Sequence, residues 1–418
     1  MDDDKEQDNE SNTFKENTKT DIDPKQKIVE IINSVKPELI FEYCCGIYRY
    51  QLVDGELKRP NWKRRTIGTL IIMTYTILFF YFLFRDTDDD EGLNFMSTID
   101  ELPSVVVLFQ YISSVVGTNF IFNSKSIRVI TLLAEVDTML EVEKFADFYK
   151  KISFGLNKVA IFLVVSHIVN TAMDLCSVED IAWGITILPL YFLQRVEIFI
   201  FCGAVYMLNW RLKVINNYLK EFIKKQDKKN VTVFTVGDTK TKTDTTLNYI
   251  GRPSIRNAKI RDLATAYDNT GEICSLITDV YNFQVFLTLV STFSYIVITI
   301  WTSINFYRKR DYRIRQLVNV MVWCFNMICN VAAMSFTCER LLVARTETRT
   351  LVNKVIMNYD LPKTMRVQAK AFMELIEAWP LRIYVYDMFS IDITLMLKFI
   401  SVATTYLIVI IQISHFIS

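Results

Sequence analysis

"KRRTIGTLIIMTYTILFFYFLFRDTDDDE", from Lys63 to Glu91, decides the fold class. Between the basic cluster Lys63 to Arg65 and the acidic run that ends at Glu91, Thr66 to Phe84 carry no charged side chain. As a helix rising about 1.5 Å per residue, such a block crosses a hydrocarbon layer of about 30 Å. Its flanks also give an orientation, because short basic flanks stay in the cytoplasm. The amino terminus is therefore expected inside, and this first span sets the course of the chain.

A window of about 19 residues finds six further apolar blocks: Pro103 to Phe122, Leu156 to Asp174, Ile181 to Leu208, Val285 to Phe306, Leu317 to Cys338 and Ile391 to His415. Seven crossings put the carboxy terminus outside. The expected fold is an all-α membrane protein with seven transmembrane helices. Composition agrees, with 51% hydrophobic and 13% aromatic residues but only 11 Gly and 8 Pro among 418.

The sequence divides accordingly. Residues 1–27 are acidic and polar without an apolar stretch, which predicts a disordered cytoplasmic segment and no cleaved signal peptide. Residues 28–65 read as a juxtamembrane helical segment, and 66–338 as six transmembrane helices interrupted by a Thr/Lys-rich cytoplasmic linker near 227–254. Residues 339–390 read as cytoplasmic helices broken at Leu361-Pro362, leading into the last span at 391–418. Two observations bear on orientation in opposite senses. The triplets at Asn9 and Asn230 that resemble glycosylation sites fall in predicted inner segments, whereas the basic stretch Tyr307 to Arg315 falls in a predicted outer loop.

Several chemistries find no support. There are two histidines, His167 and His415, and no cluster with metal-ligand spacing, so a zinc site is not expected. No glycine-rich phosphate loop or Gly-x-Ser-x-Gly elbow occurs, which argues against an enzyme. The eight cysteines lie mostly in spans or inner segments, so no disulfide framework is expected. The net charge of +1 and the absence of a basic run give no sign of nucleic-acid binding. The acidic-Arg-aromatic and Asn-Pro-x-x-Tyr elements of G-protein-coupled receptors are missing as well.

Polar residues inside the apolar blocks carry more information. At about 100° per residue, Asp387, Ser390, Thr394, Lys398, Ser401, Thr405, Ile408 and Gln412 form one stripe along the last helix. Such a stripe suits either a pore-lining helix or a helix packed through small residues. Lys398 and Gln412 are long for close packing and favour a wetted path, with Asp387 and Asp392 as acids near Lys398. Ile408, and Ile413 beside Gln412, are hydrophobic side chains suited to closing a pore by dewetting. Tyr406 points off the stripe and is expected to pack on neighbouring helices.

A second set faces a predicted outer cavity: His167, Asn170 and Asp174 on the third span; Tyr295, Thr299 and neighbouring hydroxyls on the fifth; Asn319, Trp323 and Asn326 on the sixth. Amides beside an indole suit a hydroxyl-bearing or aromatic small molecule. Hydrogen bonding between helices without a ligand accounts for each residue taken singly. Arg195 and Glu197 read as buried structural charges, with Gln194 and Arg195 also assigned to the ligand cavity.

The run "TYLIVIIQI", Thr405 to Ile413, resembles the signature of insect gustatory receptors: Thr-Tyr, five hydrophobic residues, Gln and Phe at the end of the seventh helix. Thr405, Tyr406 and Gln412 match, and Ile413 replaces the Phe while staying hydrophobic. The position of the run and the seven-span layout extend the likeness over most of the chain. The resemblance implies a homotetramer or heterotetramer with related receptors, akin to insect odorant receptors and their co-receptor. Seventh helices would surround a central non-selective cation pore, passing monovalent and divalent ions, with Thr405 and Ile408 along the path and Gln412 and Ile413 at the outer gate. Lys398 and Ser401 would line its inner part. A tastant would bind the outer cavity, and no cofactor is implied. The expected location is the plasma membrane of a gustatory neuron dendrite. Sugar, including a fructose-type ligand, and bitter compounds remain open as ligand classes. The competing function is a metabotropic seven-helix receptor or a transporter.

Overall fold

A computed structural model describes residues 24–85, 94–145, 147–175, 181–227, 255–308 and 314–416. Two short helices, α1 (Pro24–Ser34) and α2 (Lys36–Cys44), open it and lead into a hairpin of β1 (Gln51–Val53) and β2 (Glu56–Lys58). The predicted juxtamembrane helical segment is thus helix followed by hairpin, and helix begins at Pro24, within the stretch expected to be disordered. Then come α3 (Trp62–Arg85), α4 (Asn94–Val116), a π-helical turn Gly117–Ile121 and α5 (Asn123–Met139). The long helices are α6 (Phe148–Leu175), α7 (Ile181–Asp227), α8 (Ile255–Arg308) and α9 (Ile314–Met357). The chain closes with α10 (Lys363–Ala378), a hairpin of β3 (Tyr384–Val385) and β4 (Phe389–Ser390), and α11 (Ile393–Phe416).

Among the described residues, six helices are long and apolar enough to cross a membrane, and the apolar part Ile393–Tyr406 of α11 is a shorter seventh candidate. Helices α7, α8 and α9 have 47, 54 and 44 residues, or roughly 65–80 Å at about 1.5 Å per residue. That is about twice the hydrocarbon thickness, so each continues well past a bilayer. The linker predicted near 227–254 lies, from 228 onward, outside the described residues, as do the Asn9 and Asn230 triplets, Cys176 and most of the basic outer loop.

Burial separates the helices by role. Helix α7 is the central post, buried on most sides, whereas α3 and α6 expose large apolar side chains such as Leu70, Ile77, Phe154 and Phe162. Exposed apolar surface this extensive suits a helix facing lipid. One large core joins α1, α5 and the lengths of α7 to α10, and a smaller core joins α3, α4, α7 and α9 around Phe79, Tyr111, Tyr191 and Trp323.

The segment after α2 is held by side chains rather than by regular pairing. Asn119, on the π-helical turn, accepts from the Tyr48 N–H at 2.8 Å and donates to the Gly46 carbonyl at 3.2 Å. Gly46 has φ +73°, and Gly68 of α3 approaches it so closely that a Cβ would meet the Gly46 carbonyl.

One correction concerns the entry to the last helix. Asp387 and Ser390 do not extend the helical stripe, because they belong to the β3–β4 hairpin, where Tyr386 and Asp387 have φ of 48° and 57°. A left-handed pair of this kind makes a tight hairpin turn and ends any helix. Helix α11 starts instead at Ile393, capped by Asp392, whose carboxylate accepts from the Thr394 N–H at 2.9 Å and the Leu395 N–H at 3.2 Å. Burial raises the Asp392 carboxyl, but bonds accepted from Ser390, Leu395 and Thr394 together hold it below the usual carboxylate range.

Candidate functional site

Helices α6, α7, α8 and α9 bring the predicted ligand residues into one region. On α6, His167, Asn170 and Asp174 follow at three and four residues and so share a face. On α9, Asn319, Trp323 and Asn326 do the same. The two faces are clasped together: Asn319 donates to Asp174 Oδ1 at 2.5 Å, and Asn326 donates to Asn170 Oδ1 at 3.2 Å.

Between the clasps stands an aromatic group. Trp323 is 3% exposed, with its ring centroid 5.4 Å from Tyr191 and 6.3 Å from Tyr295, and the two tyrosines are 5.7 Å apart. Thr299, one turn beyond Tyr295, is its hydrogen-bond partner. The Arg195 guanidinium lies over the Trp323 face at 5.3 Å. His167 rests on Phe192 at 4.8 Å, has Thr171 as a partner at 3.4 Å and has Arg195 as a charged neighbour.

Gln194 faces elsewhere. Its amide donates to Gln110 Oε1 at 3.2 Å and to the Ser291 hydroxyl, and Gln110 donates to Thr288 Oγ1 at 2.9 Å. It therefore ties α7 to α4 and α8 beside the aromatic group. Arg195 and Glu197 also part company, since two residues along a helix turn about 200°. Glu197 accepts from Ser114 and lies 3.8 Å from Arg49, and Arg49 donates to Glu42 and stacks on Tyr281.

The region is rich in polar atoms shielded from water and lacking a partner among the described residues: His167 Nδ1, Asn170 Nδ2, Arg195 Nε and Nη2, and Asn319 Oδ1; the Trp323 side chain is itself a hydrogen-bond partner of Asp174. Each such atom costs on the order of 1–3 kcal/mol, so a concentration of them marks a place for a hydrogen-bonding guest. Donors predominate. Tyr191 was not among the residues read from sequence as ligand-facing, yet it sits four residues before Arg195 and therefore one turn away on the same face.

On α11, Lys398, Ser401, Thr405 and Gln412 are exposed and Ile408 is 49% exposed. The Thr405 hydroxyl donates back to the Ser401 carbonyl at 2.9 Å. Tyr406 lies edge to face with Phe293 of α8 at 5.4 Å, and Phe399 meets the same ring at 6.3 Å. One side of α11 is thus seated on α8 and the stripe side is not covered by the described residues. The side chain of Ile413 lies outside the described ones. No ion pair to Lys398 from Asp387 or Asp392 occurs among the described residues. At its base α11 is tied to two of the ligand-facing helices: Ile393 N–H donates to Glu339 Oε2 at 3.4 Å, and in the preceding hairpin Tyr386 N–H donates to Asn282 Oδ1 at 2.9 Å.

Residues 39–415 match the family model described as "7tm Chemosensory receptor". No curated protein matches the chain. Among solved structures, the insect olfactory receptor OR5 from Machilis hrabei is similar, with TM-score 0.65 and 12% identity over 93% of this chain and 100% of that one. The structure of OR5 in complex with eugenol matches with TM-score 0.60 and 11% identity over the same shares.

Proposed function

Because the chain belongs to the 7tm chemosensory receptor family, and is a multi-pass helical protein, we propose that it is a gustatory receptor acting as a tastant-gated, non-selective cation channel. The observation that carries the ligand half of this reading is the set of unpartnered donors around Trp323. A guest with several acceptors and a face to lay on Tyr191, Trp323 or Tyr295 would satisfy them. The uncompensated charge of Arg195 disfavours a cationic alkaloid there, so the ligand class is a neutral, hydroxyl-bearing molecule such as a sugar. The OR5 structure with eugenol gives independent support for a small hydroxylated guest in this fold.

In this reading four copies gather their α11 helices around an axis, and the stripe Lys398, Ser401, Thr405, Ile408, Gln412 faces the conduit. Lipid-facing α3 and α6 lie outside, with the amino terminus in the cytoplasm and the carboxy terminus external. Ligand held between α6 and α9 shifts the closed-open equilibrium by its differential affinity for the two states, and Glu339 of α9, with Asn282 of α8 and the β3–β4 hairpin, connects the ligand-facing bundle to α11. The test is a sugar and bitter panel on cells expressing this chain alone, followed by recording from excised patches without GTP. Ligand-evoked single-channel steps are expected. Silent patches from cells that respond when intact would instead favour a metabotropic receptor, and saturable uptake without steps a transporter.

A further inference from the structure

The cleft where α6 begins, beside the far part of α7, has no role in the ligand site or the conduit. It has a volume of about 350 Å³ and is lined by Phe148 and Lys151 of α6, Trp210, Lys213, Asn217 and Lys220 of α7, and Glu347 of α9. Its chemistry is unbalanced. Glu347 is fully engaged, with Oε1 2.5 Å from Lys220 Nζ and Oε2 accepting from Asn216 at 3.2 Å. Lys151 and Lys213 have no carboxylate within ion-pair distance among the described residues, and Lys213 has both the like-charged Arg340 and the already paired Glu347 as charged neighbours. The indole N–H of Trp210 is shielded from water and has no acceptor among the described residues. Lys151, Lys213 and Trp210 thus line a cleft whose one carboxylate, that of Glu347, is already engaged.

Its position is equally specific. Trp210 is wedged between Phe148 at 6.1 Å and Tyr206 at 6.2 Å, and Lys213 Nζ stands 5.3 Å from its ring centroid. One turn beyond Lys151, α6 begins its exposed apolar belt with Phe154, over which Lys158 folds at 4.2 Å. A tryptophan and snorkelling lysines at the edge of an apolar belt mark the level of lipid head groups.

We infer that this cleft binds a phosphate-bearing anion at the membrane boundary, held by Lys151, Lys213 and the Trp210 N–H. The chemistry fits an anionic lipid head group or a free inositol phosphate, and it stands independently of ion conduction or tastant identity.

The test uses the purified full-length chain in phosphatidylcholine nanodiscs, titrated in one arm with a fluorescent short-chain phosphoinositide and in the other with its free inositol phosphate head group. The parent should bind the phosphoinositide, and the Lys151→Gln/Lys213→Gln variant should bind on the order of thirtyfold more weakly, the loss expected for two lysines near a charged head group. Lys150→Gln, at an exposed lysine paired with Asp147 at 3.0 Å, should leave affinity unchanged. Equal binding of the free head group identifies a soluble phosphate as the occupant, and binding of the lipid alone identifies the bilayer; both support the site. Should the double variant melt below the parent, the exposed Lys151→Gln alone is measured, with about fivefold weakening expected. Absence of binding by the parent to either probe overturns the proposal. So does undiminished binding by the folded lysine variants, or equal weakening by Lys150→Gln.

Discussion

Arg195 lies over the face of Trp323, 5.3 Å from the ring centroid, and two of its guanidinium nitrogens have no partner among the described residues. An arginine this deep in a bundle ordinarily finds a carboxylate or water. Here the nearest compensation is an aromatic quadrupole, worth about 0.5–2 kcal/mol. The remaining demand is for an acceptor from a guest.

Arg195→Gln should therefore raise the half-activating ligand concentration on the order of tenfold to a hundredfold, as when a charge-assisted hydrogen bond worth about 1.5–3 kcal/mol is lost. Trp323→Ala should shift it in the same direction while saturating ligand still opens the channel. Dose-response currents provide the measurement, and unchanged curves in both variants would remove this face from the ligand site.

The second prediction concerns stability. Arg49 is the shared counter-charge of Glu42 and Glu197, and all three are at least nine-tenths buried. Arg49→Met should cost on the order of 3–5 kcal/mol, because it leaves buried carboxylates unpaired. The expected result is a large drop in the melting temperature of the purified receptor and in its surface expression. Removing one of the two unpaired carboxylates with Glu42→Gln in the same chain should recover part of the loss.

The start of α11 gives the third. Asp392→Ala should lose about 1 kcal/mol of capping and accelerate hydrogen exchange at the amides of Thr394 and Leu395, whereas Asp392→Asn keeps an acceptor and should change exchange less. Because the folded carboxyl lies below its ordinary value, its contribution is complete above the unfolded pKa of about 3.9 and fades as pH falls through the lower folded one. Exchange that is insensitive to Ala at 392 would show that the hairpin alone fixes the helix start.

Much of this architecture is legible in the sequence because a bilayer imposes length and polarity on every crossing. The seven apolar blocks all correspond to helices, and the spacing of Asn319, Trp323 and Asn326 gave one face that the fold sets against Asn170 and Asp174. What local periodicity cannot carry is long-range pairing and turn geometry. Nothing near Glu197 announces Arg49, because their partnership depends on how α2 returns into the bundle. Counting a helical stripe back to Asp387 failed for a different reason: the residues between Tyr384 and Ser390 are compatible with a helix by composition, and only the left-handed Tyr386 and Asp387 make them a hairpin. Tyr191 was legible in principle, one turn before Arg195.

The central claim is that α11 is wetted along one side when copies assemble. It is tested most directly by placing single cysteines at Thr405 and Gln412 and applying a water-soluble thiol reagent with and without ligand while recording current. Modification at both positions, faster with ligand and accompanied by altered current, is the predicted result; cysteines that stay unreactive in resting and stimulated receptors alike would contradict it.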